Sequence, residues 1–358
     1  MAPNLKADET YTYVGSYTKM AGTCGINVYA FNTTTGSLRH LFAVPGTYNA
    51  SFLAMDHQKQ YLYSVCDIMD SEGKLRGAVA SYRMNSEDGS LQVLNHQFTE
   101  GGRGCHLIVD HSGQYLLMAN YSGGNVSTFP LHDNGEIGVR SDLKQHIGSG
   151  TFVGRQESPH PHSIWLDPAN EYALVPDLGM DQIVIYKLDL STGRLITHNT
   201  VALHAGAGPR HLVFHPSGTY AYVINELDST VTAYQYDQQN GALAEIQTIT
   251  TLPAEFTGTS WCADIHMDAT GSFLYGSNRG HDSIVVYAIT SDSGELEWVE
   301  HTSTQGQTPR NFAISTNGNY LLAANQDSGT IVSFLIDKGR LEATGHITKV
   351  PQAVCIIW

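Results

Sequence analysis

Three arginines, one glutamate and a histidine stand out along this chain because their chemistries complement one another. Arg210 lies in GPRH, Arg310 in TPRN, Arg279 in SNRGHD, Glu226 in INELDS and His162 in PHPH. A planar guanidinium grips a carboxylate or phosphate through two parallel hydrogen bonds, or stabilises an oxyanion as it forms. A carboxylate on a positive rim can serve as general base or orient water. His162 is suited to act as acid, base or hydrogen-bond donor. Grouped together, these residues could drive attack of water on an ester carbonyl. Glu226, alone or with His162, would take the proton. Arg210 or Arg279 would stabilise the oxyanion, and the remaining arginine would hold an anionic group of the substrate.

Each residue also has a plainer reading. Arg310 shares its place with Arg210, so either could be a strut that bonds loop carbonyls. Glu226 could serve only to fix Arg210 through an ion pair. His160 and His162 are two apart and project from the same side of an extended strand. That would suit a metal, but no third ligand follows at zinc spacing. The expectation is a site without metal or cofactor. The chain also lacks GxSxG, HExxH, a P-loop and a GxGxxG between strand and helix, which disfavours serine hydrolases, zincins and nucleotide enzymes. His211, His215, His266 and His281 read as hydrogen-bonded structural residues.

The elements that must position these side chains repeat. From Arg210 to Asn225 is fifteen residues: a strand, a tight turn and a second strand. The same interval runs from Ser51 to Cys66, Cys105 to Asn120, His162 to Asp177, Ala263 to Asn278 and Arg310 to Asn325. A seventh copy at the N-terminus has the second strand (Tyr11–Tyr17) and the third (Ile26–Phe31) but no first. Pro351–Trp358 supplies it from the other end of the chain. This predicts an all-β fold: a seven-bladed β-propeller of four-stranded antiparallel blades, one domain over residues 1–358, closed by pairing the last strand with the first blade. A β-sandwich would not keep one internal register throughout.

In such a meander the start of strand one and the end of strand two share one end of the sheet. The fifteen-residue interval therefore puts Arg210, Arg310 and His162 on the same mouth as Asn225-Glu226 and Asn278-Arg279. Ser16-Tyr17, Cys66-Asp67 and Asn120-Tyr121 fall there too. The long connections 139–161 and 248–261 lie on this face, so Arg155 and Trp261 could reach over the rim. Arg310, His160, Asn225, Asn278 and Arg155 are the expected substrate contacts around the catalytic set Glu226, His162, Arg210 and Arg279.

A net charge of −15 argues against general nucleic-acid or anionic-membrane binding. It makes a local cluster of arginines more informative, because the cluster works against the background field. No apolar run approaches the roughly 20 residues needed to span a bilayer, and MAPNLKADET has no apolar core of a secretory signal. Five cysteines without CxxC spacing read as reduced thiols in a cytoplasmic protein. The expected partner is a small anionic substrate, and the expected state a monomer or weak homo-oligomer.

The segments GAGPRHLVFHPSGTYAYVINELDSTV, PHPHSIWLDP, ADIHMDATGSFLYGSNRGHDSI and TPRNFAISTNGNYLLAANQDSGTI resemble the lactonase family of seven-bladed β-propellers. That family includes propeller-type bacterial 6-phosphogluconolactonases and a fungal 3-carboxy-cis,cis-muconate cyclase. The resemblance is densest over residues 158–335 and looser at Thr23-Cys24-Gly25 and Asp67–Lys74. It implies a site of His162, Arg210, Glu226 and Arg279, with no metal. It also implies hydrolysis of a small anionic sugar lactone, 6-phospho-D-glucono-1,5-lactone of the pentose phosphate route. The alternatives are a lactonizing cyclase of the muconate type and a non-catalytic propeller that binds a sugar acid or a protein.

Overall fold

The computed structural model describes residues 5–18, 24–99 and 102–358. Thr23 and the first four residues of the N-terminal stretch lie outside them. Seven four-stranded antiparallel sheets stand in a ring. Blade five shows the plan: Pro209–Phe214, Tyr220–Asn225, Thr230–Asp237 and Ala242–Thr250, in that order from the channel outwards. Blade one is assembled from both ends of the chain. Its innermost strand is Ala353–Ile357, paired with Glu9–Ser16 from Tyr13↔Ile357 to Ser16↔Ala353.

Burial explains why these segments look as they do. The second strands of blades three, four and seven (Tyr115–Asn120, Tyr172–Asp177 and Tyr320–Asn325) are buried at every position. Each sheet is covered on both faces by its neighbours, so these strands read as continuous apolar runs rather than alternating ones. Outer strands such as Arg194–Ala202 are mostly exposed. Seven apolar clusters fill the seven gaps between blades. In one, Tyr222 and Ile224 of blade five pack against Ile265, Leu274 and Val285 of blade six.

On the face away from the mouth, each blade grips the next. An aromatic residue at the start of a second strand lies on a glycine in the outer turn of the following blade. The pairs are Tyr11–Gly89, Tyr61–Gly135, Tyr115–Gly193, Tyr172–Gly241, Tyr220–Gly294, Phe273–Gly339 and Tyr320–Gly36. A Cβ at Gly294 would sit 2.4 Å from Tyr220 Cδ1, and its φ is +72°. The tyrosines also donate to turn carbonyls, as Tyr220 does to Asp292 at 2.9 Å and Tyr11 to Glu87 at 2.8 Å. Phe273 faces the tightest of these turns, Asp337–Arg340, and has no hydroxyl to donate.

Three segments differ from the sequence reading. The connection after blade five is 251–260 and not 248–261, because the outer strand runs Ala242–Thr250 and Trp261 opens the strand Trp261–Met267. Residues 139–161 are not wholly a connection, because Asp142–Gln145 pairs as the outer strand of blade three. Three of its four residues, DLKQ, are polar because the outer edge is half exposed. In blade four the first strand shrinks to Trp165–Leu166, and the PHPH stretch holds on by a single bridge, Pro161↔Asp177.

Candidate active site

Backbone irregularity aims the key side chains. In blade five Pro209 pairs with Asn225 and His211 with Ile224, so Arg210 is skipped in the ladder. Arg310 is skipped in the same way in blade seven. A bulge of this kind redirects a side chain and is common beside active sites. Glu226, the residue after its strand, is fixed through its own backbone. Its N–H donates to the Gly208 carbonyl at 2.7 Å, and its carbonyl accepts from Cys262 N–H of blade six at 3.3 Å.

Glu226 is the hub. Its side chain is 4% exposed and lies among three guanidiniums. Arg210 Nε donates to Oε2 at 3.0 Å, Arg279 Nη2 lies 2.8 Å from the same oxygen, and Arg155 Nη2 bonds Oε1. His162 Nε2 is 3.8 Å from Oε2, too far for a direct hydrogen bond. Burial by itself would raise the Glu226 pKa. The charges of Arg279, Arg210 and Arg155 outweigh burial and hold it down to about 2. Burial, with Arg210 and His211 nearby, pushes His162 well below the usual histidine range, so the imidazole is neutral.

A buried chain holds the hub in place. Asp264 accepts from His211 Nδ1 at 2.8 Å, and His211 Nε2 accepts from Arg210 Nη1 at 3.2 Å. Arg210 also donates to the Ala263 carbonyl. Burial alone would raise the Asp264 pKa, but His266 and His211 keep it well below the usual carboxylate range. Beneath the cavity, first-strand rings crowd the channel. His106 lies 4.2 Å from Phe52, 4.6 Å from Trp165 and 5.5 Å from His211, centroid to centroid.

Above this floor opens a cavity of about 530 Å³, lined by residues from every blade. Glu226, His162, Arg279, Arg155 and Arg310 all face it. Arg210 does not: it is 2% exposed and acts as a strut behind Glu226. Its repeat-mate Arg310 forms no ion pair among the described residues and lies over the Tyr17 ring at 5.7 Å. Tyr17 and Glu226 raise the Arg310 pKa against the effect of burial, so its charge is secure.

Arg155 arrives on the connection between blades three and four. Gln156 pins that segment by donating to the Leu178 carbonyl at 2.7 Å and to Asp181 at 2.6 Å. His146 Nδ1 bonds Asp177 at 2.6 Å, and Asp177 in turn accepts from His160 N–H at 2.7 Å. The chain passes so close to blade four that a Cβ on Gly179 would lie 2.0 Å from the Ser158 carbonyl oxygen. Trp261 supports the Arg155 guanidinium, 5.3 Å from the ring centroid.

Three expected substrate contacts lie elsewhere. Asn225 and Asn278 are fully buried. Asn225 donates to Thr230 and Thr232, and Asn278 to the Thr251 carbonyl. Successive strand residues point to opposite sides, so the neighbours Glu226 and Arg279 reach the cavity and these two asparagines cannot. His160 stacks on Tyr121 with centroids 4.4 Å apart and so supports a lining residue instead of lining the cavity itself. Conversely, Tyr17, Asp67 and Tyr121 line the cavity from rim positions that the register had located, and Arg103 joins them. Their residue types alone had not singled them out.

A closed seven-bladed ring with an Arg–Glu–His cavity at one mouth defines a class that the wider comparisons make specific. The chain belongs to the lactonase family of seven-bladed β-propellers: the family model "Lactonase, 7-bladed beta-propeller" matches residues 11–358. It is 37% identical over 346 residues to a 6-phosphogluconolactonase of Bacillus subtilis (strain 168), covering 96% of this chain and 97% of the other. It is similar to the crystal structure of a putative 6-phosphogluconolactonase from Bacteroides fragilis, with TM-score 0.90, 33% identity and 99% of each chain covered. It is also similar to a periplasmic gluconolactonase of Pseudomonas aeruginosa, with TM-score 0.90, 31% identity and coverage of 97% and 98%.

Proposed function

We propose that this cavity hydrolyses 6-phospho-D-glucono-1,5-lactone to 6-phospho-D-gluconate, with the pentose phosphate route as its setting. The observation that carries the reading is the Glu226 carboxylate, held ionised beside neutral His162 and open to a cavity that also contains Arg279 and Arg310. Water between Glu226 and His162 attacks the lactone carbonyl. Its proton passes to that pair, and Glu226 stabilises the imidazolium if His162 receives it. Arg279 and Arg310 face the oxyanion; a single such donor is typically worth about 10²–10³ in rate. The ring C–O bond breaks, and the freed alkoxide takes the proton back.

Among these neighbours both candidate bases have low proton affinity. An anionic substrate corrects this. It adds negative charge and competes with Glu226 for Arg155, whose side chain is 30% exposed and sits on a connecting segment. Loosening that ion pair raises the basicity of Glu226 when substrate is in place. The resemblance to a periplasmic gluconolactonase supports a second reading, an unphosphorylated lactone. A coupled assay separates these readings. Glucose 6-phosphate dehydrogenase generates the phospholactone in situ, and its disappearance is followed beside glucono-1,5-lactone. Decay of both lactones at the enzyme-free rate would sink the lactonase assignment.

A further inference from the structure

The cavity has two poles. Glu226, Arg210 and Arg279 belong to blades five and six, and Arg155 to the connection that leads into blade four. Asn49, Asp67 and Arg103 line the wall contributed by blades two and three. Arg279 of blade six and Arg103 of blade three are three blades apart, the widest separation that a ring of seven allows. Among the described lining residues from blades one to three, Arg103 is the only cation.

Arg103 is held in a distinctive way. Its backbone is fixed, with N–H donating to Ser122 Oγ at 2.9 Å. Its guanidinium is 72% exposed and touches Asp67 Oδ2 only at 3.6 Å. Asp67 itself is 3% exposed and accepts from Asn49 Nδ2 at 2.7 Å. An exposed, single-contact ion pair of this length contributes little, so an incoming dianion can take the guanidinium and bond it bidentately. Elsewhere in the cavity, Arg210 is buried, Arg155 and Arg279 are engaged with Glu226, and Arg310, over the Tyr17 ring, serves the oxyanion in the proposed reaction. The wall near Arg103 offers Asn49 and Ser122, groups that pair with hydroxyls.

We propose that Arg103 is the specificity-determining residue that grips the terminal phosphate of the substrate, across the cavity from Arg279. This rests on the reading of the cavity as a sugar-lactone site, and it sets which member of that class is preferred. The test compares kcat/KM for 6-phosphoglucono-1,5-lactone and glucono-1,5-lactone in wild type, Arg103→Gln and Arg103→Lys. In parallel, calorimetry compares 6-phosphogluconate with gluconate binding. Wild type should favour the phosphorylated ligand in both measurements. Arg103→Gln should lower that preference about tenfold, the loss of one charge-assisted contact, chiefly through KM, and Arg103→Lys should recover part of it. A preference that changes less than threefold in Arg103→Gln, or a wild type with no preference, overturns the proposal. If no lactone turns over, the lactonase reading fails, and the binding comparison still decides whether Arg103 recognises phosphate.

Discussion

Replacing Glu226 with glutamine changes shape little and removes the charge that three guanidiniums share. At an effective dielectric of about 20, a guanidinium about 3 Å away loses roughly 5 kcal/mol of Coulombic attraction. Much of this offsets the cost of burying the charges, so breaking one partner of a buried pair costs about 3–5 kcal/mol net. Arg210 bears most of the loss, because its side chain is 3% exposed and cannot turn to water. Arg155, at 30%, can. Denaturant titration of Glu226→Gln should therefore show a loss of about 3–5 kcal/mol, and lactone turnover should fall about 10²–10⁴-fold. Adding Arg279→Met removes a now unpaired charge and should restore part of the stability, with turnover still low. A Glu226→Gln protein as stable as wild type would refute the hub. Turnover within tenfold of wild type would remove Glu226 from the chemistry. Recovery of turnover in the double variant would reduce its role to neutralising Arg279.

Two further outcomes follow from the same structure. Because kcat/KM reports the free enzyme, and both Glu226 and His162 are shifted to low pKa, its pH profile with glucono-1,5-lactone, which has no titrating phosphate, should be flat between about pH 6 and 8 once the enzyme-free rate is subtracted. Arg279→Met should raise the Glu226 pKa and move any acid limb upwards; a wild-type limb centred near pH 6.5 would contradict the neutral, buried His162. On the opposite face, Gly294→Ala should cost about 2–5 kcal/mol in denaturant titration, combining a left-handed backbone with overpacking. Gly318→Ala should cost only the backbone part, because its φ of +74° is similar but nothing lies within 4 Å of the new Cβ. Equal losses would mean that the Tyr220 contact contributes nothing.

The ring and its mouth were legible because the fifteen-residue interval is a property of two inner strands that every blade must build alike. The division of labour between Arg210 and Arg310 went unread, since Arg210 was expected in the catalytic set, although its signal was in the sequence. Sixteen residues after Arg210 comes Glu226, whereas the matching place after Arg310 is Gln326. Arg210 thus has a carboxylate within its own repeat, becomes buried against it and turns strut, while Arg310 stays open to the cavity. Asn225 and Asn278 were misplaced because register fixes a residue's height on the sheet, and pleating decides its side. Arg155 could only be suspected, since a connecting segment has no repeat-mate to locate it. Its ion pair with Glu226, 71 residues away, depends on the Gln156 and Asp177 pins.

The seven aromatic-on-glycine grips act as a hoop around one face of the disc. Each blade is clasped by its predecessor and clasps its successor, and the chain's two ends are joined within the hoop. Mechanical integrity and chemistry therefore occupy opposite faces. Loops at the mouth can change length and charge without loosening the hoop, so the lining of the cavity is free to vary on a scaffold that stays closed.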